Sequence, residues 1–134
     1  MSELAQLIGK PWISGAAGPD AFDCWGLVRH VQRDFYGMDL SHVAVDRTNH
    51  ASLVRTFEHS PERGNWRYER IPADGDLVEM GSARHPHHIG VYVAVDGGKV
   101  IHSVEGAGVG AQTVERLRLT GWTMVRFLRH ISKP

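Results

Sequence analysis

Apolar side chains recur at helical spacing through the first sixty residues, and beyond that the period shortens to that of strands. Leu4, Leu7 and Ile8 share one face of a short helix over 2–8, which Ser2 can cap and which Gly9 and Pro11 stop. A glycine-rich connection covers 12–19. The clearest helix is predicted over 24–36, where Leu27, Val28, Val31 and Phe35 follow an i, i+1, i+4, i+8 pattern. Its other side carries Arg29, Gln32, Arg33 and Asp34. Asp20 or Asp23 supplies the N-cap, and Gly37 ends the helix. A third helix is expected over 51–59, broken by Ser60-Pro61.

The second half suits strands over 66–71, 76–79, 88–95, 99–104, 112–117 and 124–129. Asp96-Gly97-Gly98 is a hairpin-turn signal between the third and fourth of these. Helices first and antiparallel strands second define an α+β chain, expected to be a single domain over 1–134. The helix that begins at Cys24 would lie across the sheet, with its N-terminus near a strand end.

Charge and composition narrow the function classes. Fifteen basic residues balance fifteen acidic ones, which argues against a broad electrostatic grip on nucleic acid or an anionic membrane. A single cysteine excludes an intramolecular disulfide framework and any multi-cysteine zinc site. No run approaches the eighteen or so apolar residues of a membrane span. Residues 1–8 lack the basic start and apolar core of a secretory signal. The expectation is therefore cytoplasmic synthesis, with any other compartment reached by a route outside these residues.

The one cysteine, in Asp23-Cys24-Trp25-Gly26, falls in the first turn of the clearest helix, where backbone N–H groups lack helical partners. Those groups can stabilise a thiolate and also the oxyanion of an acyl-transfer intermediate. With a nearby imidazolium they would favour the anion at neutral pH. The competing reading is a buried cysteine acting as a small hydrophobe.

Nine histidines offer partners. His30, His42, His50, His59 and His130 lie among polar neighbours and read as surface residues. His85, His87 and His88 with Cys24 could hold zinc, but no paired ligand spacing occurs and Pro86 stiffens that stretch, so neither metal nor other cofactor is expected. His88 opens a strand and is the best base; His102, on the next strand, could orient it. A strict two-residue turn at Gly97-Gly98 would pair His102 with Val93 and leave His88 on the opposite face. Joining the two imidazoles requires a wider loop or a bulge near Asp96.

These segments resemble the NlpC-type cell-wall cysteine peptidases, whose fold is a compact relative of papain's. The likeness runs through Leu7-Ile8-Gly9-Lys10-Pro11-Trp12 and the block from Gly18 to Val28, then Asp74-Gly75-Asp76-Leu77-Val78. It continues in His88-Ile89-Gly90-Val91-Tyr92 and Val100-Ile101-His102-Ser103, in matching order and spacing. The resemblance implies a papain-like core with helices packed on an antiparallel sheet, a Cys24 nucleophile, a His88 base and a His102 orienter. It also implies hydrolysis of γ-D-glutamyl-diaminopimelate or related amide bonds in peptidoglycan stem peptides.

Asp23, Trp12 and Trp25 are the expected oxyanion or substrate contacts. Trp25 replaces a serine common in bacterial members, and Trp12 stands near a tyrosine position of the leader. The Asp-Cys-Trp-Gly form looks most like phage tail-assembly members, which implies other tail proteins as partners and assembly into a virion tail. Two rival readings remain open on the same residues: a tail-tip structural protein with vestigial catalysis, and an amidase or acyltransferase on the same Cys–His frame.

Overall fold

Asp23 sets where the main helix starts. Its Oδ1 accepts the Gly26 N–H at 2.6 Å, the N-cap interaction that satisfies an otherwise orphaned donor and is worth about 1 kcal/mol. The other oxygen, Oδ2, accepts the Gly15 N–H at 2.9 Å and ties the preceding loop to the same cap. At the far end Gly37 takes φ 66° and returns its N–H to the Gln32 carbonyl. A side chain at Gly26 would collide with the Ala16 carbonyl, so glycine there lets the loop lie against the first helical turn.

The structure, a computed structural model, describes residues 2–41, 51–82 and 85–134. His42 and His50, read above as surface residues, lie outside the described residues, and so do the side chains of Ser2 and His85. The helices are α1 (Ser2–Leu7), α2 (Cys24–Tyr36), α3 (Ala51–Glu58) and α4 (Val114–Leu119). The strands are β1 (Trp66–Glu69), β2 (Leu77–Ser82), β3 (His85–Val93), β4 (Lys99–Val104), β5 (Gly108–Gln112) and β6 (Met124–His130). They form one antiparallel sheet in the order β1-β6-β2-β3-β4-β5. This is the expected α+β architecture, with the N-terminal helices on an antiparallel sheet.

Alternation along the strands divides the interior. Leu77, Ile89, Val91, Ile101, Val109 and Leu128 join Leu27, Val28 and Val31 of α2 in the larger core, together with Leu4, Leu7 and Phe57 of α1 and α3. Val78, Met80, Val100 and Phe127 point the other way, where Leu117 of α4 covers them. On β3 and β4, Ile89 and Ile101 therefore turn toward α2, while His88 and His102 belong to the opposite set.

One expectation needs correction. Residues 112–117, read as a strand, instead end β5 and begin α4. Thr113 Oγ1 caps that helix by accepting the Arg116 N–H at 3.1 Å, and only Leu117 of its leucines is buried. The alternation Val114, Arg116, Arg118 against Glu115, Leu117, Leu119 mimicked a strand, but the cap and the spacing from Val114 to Leu117 suit a helical turn. The true strand, β5, hid behind its glycines Gly108 and Gly110, which pair with Val104 and His102.

The hairpin takes the wider loop, the alternative that joins the two imidazoles. Val93 pairs with Lys99, leaving the five residues 94–98 as the loop, with Asp96, Gly97 and Gly98 at φ 50°, 85° and 104°. That wider loop places Val91 opposite Ile101. An odd-numbered loop changes which residues share a face, and here it puts His88 and His102 on the same one.

Candidate active site

Two glycines flank His102. Gly110 pairs with it across β5, and one further step of the β3–β4 register brings Gly90 opposite it on β3. A Cβ at Gly90 would stand 3.0 Å from His102 Cβ and 2.6 Å from the Ile101 carbonyl oxygen. With no side chain directly across on either side, His102 makes its contacts diagonally. Its Nδ1 lies 2.9 Å from His88 Nε2, and its Nε2 lies 2.8 Å from Gln112 Oε1. The expected orienter thus meets the expected base.

Trp122, in the loop between α4 and β6, closes this pair from outside. Its indole stacks on His88 at 4.9 Å between centroids and 23° between planes, and meets His102 edge-on at 6.2 Å. His87 packs on the same indole at 5.4 Å. The backbone N–H of Trp122 is fixed by the Leu117 carbonyl at 3.0 Å, so α4 positions the lid. Both His88 and His102 are buried. Burial holds the His102 pKa below its ordinary value of 6.5, against an upward pull from Gln112.

Cys24 heads α2 and is half-buried. The amides of Trp25, Ile89 and Cys24 itself are directed at its sulfur and favour the thiolate. The Ile89 amide belongs to the residue beside His88, so the helix start and the histidine strand meet here. Burial is nevertheless the larger influence, and with the Asp23 charge it pushes the thiol up to about 12. Desolvation thus opposes the helix-end amides, which favour the thiolate.

The other expected contacts divide. Asp23 spends both carboxylate oxygens on the cap and the loop. Trp25 is not placed to meet a substrate: it is 3 % exposed, packs on Phe57 at 5.2 Å and donates its indole N–H to the Ser41 carbonyl at 3.1 Å. Its large apolar ring gains more from the core than a serine at this position would. Trp12 is half-buried in the leader, next to Pro11, whose carbonyl accepts the Phe22 N–H at 3.0 Å. Gln112 and Trp122 were not legible as site residues, because a glycine-rich stretch and a Gly-Trp turn carry no mark of chemistry.

Ser103 supports the site from below, its hydroxyl donating to the Phe22 carbonyl at 2.8 Å and tying β4 to the segment before Cys24. A cavity of about 550 Å³, lined by Gln6, Lys10, Asp20, His30 and Asp34 among others, includes none of Cys24, His88 and His102. Among the described residues no three His, Cys, Asp or Glu side chains converge as metal ligands. No described helix is long and apolar enough to cross a membrane.

A lone cysteine heading a helix that packs on an antiparallel sheet, with paired histidines on that sheet, is the arrangement of an α+β papain-like domain. The chain belongs to the NlpC/P60 family, which matches residues 9–127. It is 28% identical over 120 residues to the probable endopeptidase p60 of Listeria grayi, covering 84% of this chain and 21% of that protein. It is 25% identical over 103 residues to protein P54 of Enterococcus faecium, covering 77% of this chain and 17% of that protein. The chain thus spans about a fifth of the length of these relatives.

Two solved structures share the fold. The NlpC/p60 domain of the peptidoglycan hydrolase SagA superposes with a TM-score of 0.61 at 24% identity, over 97% of this chain and 94% of that one. A Staphylococcus aureus protein similar to lipoprotein of the NLP/P60 family gives 0.53 at 22% identity, over 94% of this chain and 39% of that one.

Proposed function

We propose that this domain is a cysteine peptidase that hydrolyses amide bonds in peptidoglycan stem peptides, of the γ-D-glutamyl-diaminopimelate type. The observation that carries the reading is the hydrogen-bonded His88–His102 pair, stacked under Trp122, on the strand whose Ile89 amide reaches the Cys24 sulfur. Family membership and the likeness to the probable endopeptidase p60 and the peptidoglycan hydrolase SagA support a wall substrate.

Burial raises the thiol pKa, so the reaction begins with a proton transfer. His88 removes the thiol proton as sulfur attacks the amide carbonyl, and a tetrahedral oxyanion forms. The Cys24 amide and the Trp12 indole N–H stabilise that oxyanion. Collapse breaks the C–N bond, and His88 returns its proton to the leaving amine. Water, deprotonated by His88, then attacks the thioester; the carboxylic acid departs and the thiol regains its proton. His102 keeps the His88 ring in the productive tautomer.

Digestion of purified peptidoglycan, with fragments identified by mass spectrometry, tests this. Wild type is expected to release cleaved stem peptides, and Cys24→Ala to release none while remaining folded. Undiminished cleavage by Cys24→Ala would exclude the mechanism, and transferred acyl groups among the products would make the domain an acyltransferase. The burial that raises the thiol pKa favours one second reading, a binding domain with an idle site; an inert wild type in the same digestion would support it. A tail-associated setting is supported by the Asp23-Cys24-Trp25-Gly26 form, and co-purification with tail proteins tests it.

A further inference from the structure

Gln112 ends a line of three side chains that crosses three strands: Gln112 on β5, His102 on β4 and His88 on β3. We propose that Gln112 is a positioning residue that sets the proton order along this line, and thereby leaves His88 Nδ1 as an unprotonated base. The inference rests on the peptidase reading above and adds to it the residue that decides whether His88 can act.

The direction of each hydrogen bond follows from the first. An amide oxygen only accepts, so His102 must present N–H from its Nε2 to Gln112 Oε1, 2.8 Å away. His102 is buried and neutral, which leaves its Nδ1 as a lone pair. Across 2.9 Å that lone pair can only accept, so His88 carries its proton on Nε2. In its neutral form His88 then carries its ring lone pair on Nδ1. With the opposite order His88 would offer an N–H from Nδ1 and could take no proton from a thiol.

Nothing else named on this line supplies the acceptor. Position 112 suits the task because Gly110, directly across from His102, contributes no side chain, and Gln112 reaches the ring along the diagonal. Gln112 is half-buried at the end of β5, where it fills no core cluster. Its hydrogen bond raises the His102 pKa, opposing the burial that lowers it, so the contact bears on protonation as well as on placement.

The experiment reads tautomers and turnover separately. In protein with nitrogen-15-labelled histidine, long-range proton–nitrogen spectra should show both His88 and His102 protonated at Nε2 alone. Gln112→Leu should populate the Nδ1–H forms and lower kcat by about 10- to 100-fold with KM within about twofold, the range for partners that orient an imidazole. Gln112→Glu keeps an acceptor, so it should retain the wild-type tautomers. Its added charge should raise the His102 pKa and move the acid limb of the kcat profile to higher pH.

Wild-type His88 protonated at Nδ1, or Gln112→Leu with unchanged tautomers and kcat, would overturn the proposal. The expected wild-type tautomers in a protein that cleaves no stem peptide would remove the peptidase reading and leave the proton order standing. Should Gln112→Leu not fold, the wild-type spectrum and the pH profile of Gln112→Glu decide the matter alone.

Discussion

The indole of Trp122 lies 4.9 Å from the imidazole of His88 and nearly parallel to it, so one face of the proposed base is dry. The same ring meets His102 edge-on. Removing it admits water to both rings. Trp122→Ala should therefore relieve the desolvation that depresses His102 and return its titration toward 6.5. Below that pH His102 would carry a proton on Nδ1 and could no longer accept from His88. Activity near pH 6 is expected to fall about tenfold or more relative to wild type, with a smaller loss near pH 8. An NMR titration of His102 beside a kcat profile measures both; an unmoved His102 would show that the indole does not set its environment.

Asp23 and Cys24 oppose each other electrostatically. The carboxylate that caps α2 also raises the thiol pKa, second only to burial. Asparagine caps helices about as well as aspartate, so Asp23→Asn removes the charge and retains the helix start. With the negative neighbour gone the thiol pKa falls, and more thiolate exists at any given pH. Alkylation of Cys24 by iodoacetamide at pH 8 is expected to quicken by about two- to fivefold. A slower or equal rate, with α2 intact by circular dichroism, would contradict the assignment of Asp23 as a raising charge.

Gly90 provides a steric test of the histidine pair. Gly90→Ala puts a methyl 2.6 Å from the Ile101 carbonyl and 3.0 Å from His102 Cβ, so the two strands must part or His102 must move. A loss of about 2 kcal/mol by denaturant titration is expected, with activity falling further than stability explains. Gly97→Ala serves as the control. Its Cβ meets nothing within 4 Å, and its cost, about 1 kcal/mol from φ 85°, should leave the site's activity intact.

Glu79 on β2 is buried, and Glu58 at the end of α3 lies near enough to influence it. Burial and then Glu58 push the Glu79 carboxyl up to about 8, against the pull of the Arg126 guanidinium 3.2 Å away. Glu58 shifts downward, so the proton of the pair resides on Glu79. The folded state then binds more protons at Glu79 than the unfolded chain between about 4.5 and 8, and stability from this group declines as pH rises through that window. Glu79→Gln should flatten the decline and stabilise the fold at pH 8 by on the order of 2 kcal/mol. Thermal unfolding of both proteins at pH 5 and pH 8 checks this; equal differences at the two pH values would refute it.

The extent of α2, the strand from Lys99 to Val104 and the three residues Cys24, His88 and His102 were all readable from the chain, because each is marked locally. An acidic cap and a glycine stop bound the helix, alternation marks the strand, and a lone cysteine or a histidine is chemically conspicuous wherever it stands. Tertiary structure decided the rest. Register across a five-residue loop put His88 and His102 on one face, and strand pairing brought Gln112 and Trp122 to them. Packing took Trp25 into the core, and burial around the sulfur works against the thiolate that the helix end favours. Local pattern records what a residue can do, whereas pairing parity and desolvation depend on atoms far away in sequence, which no window along the chain contains.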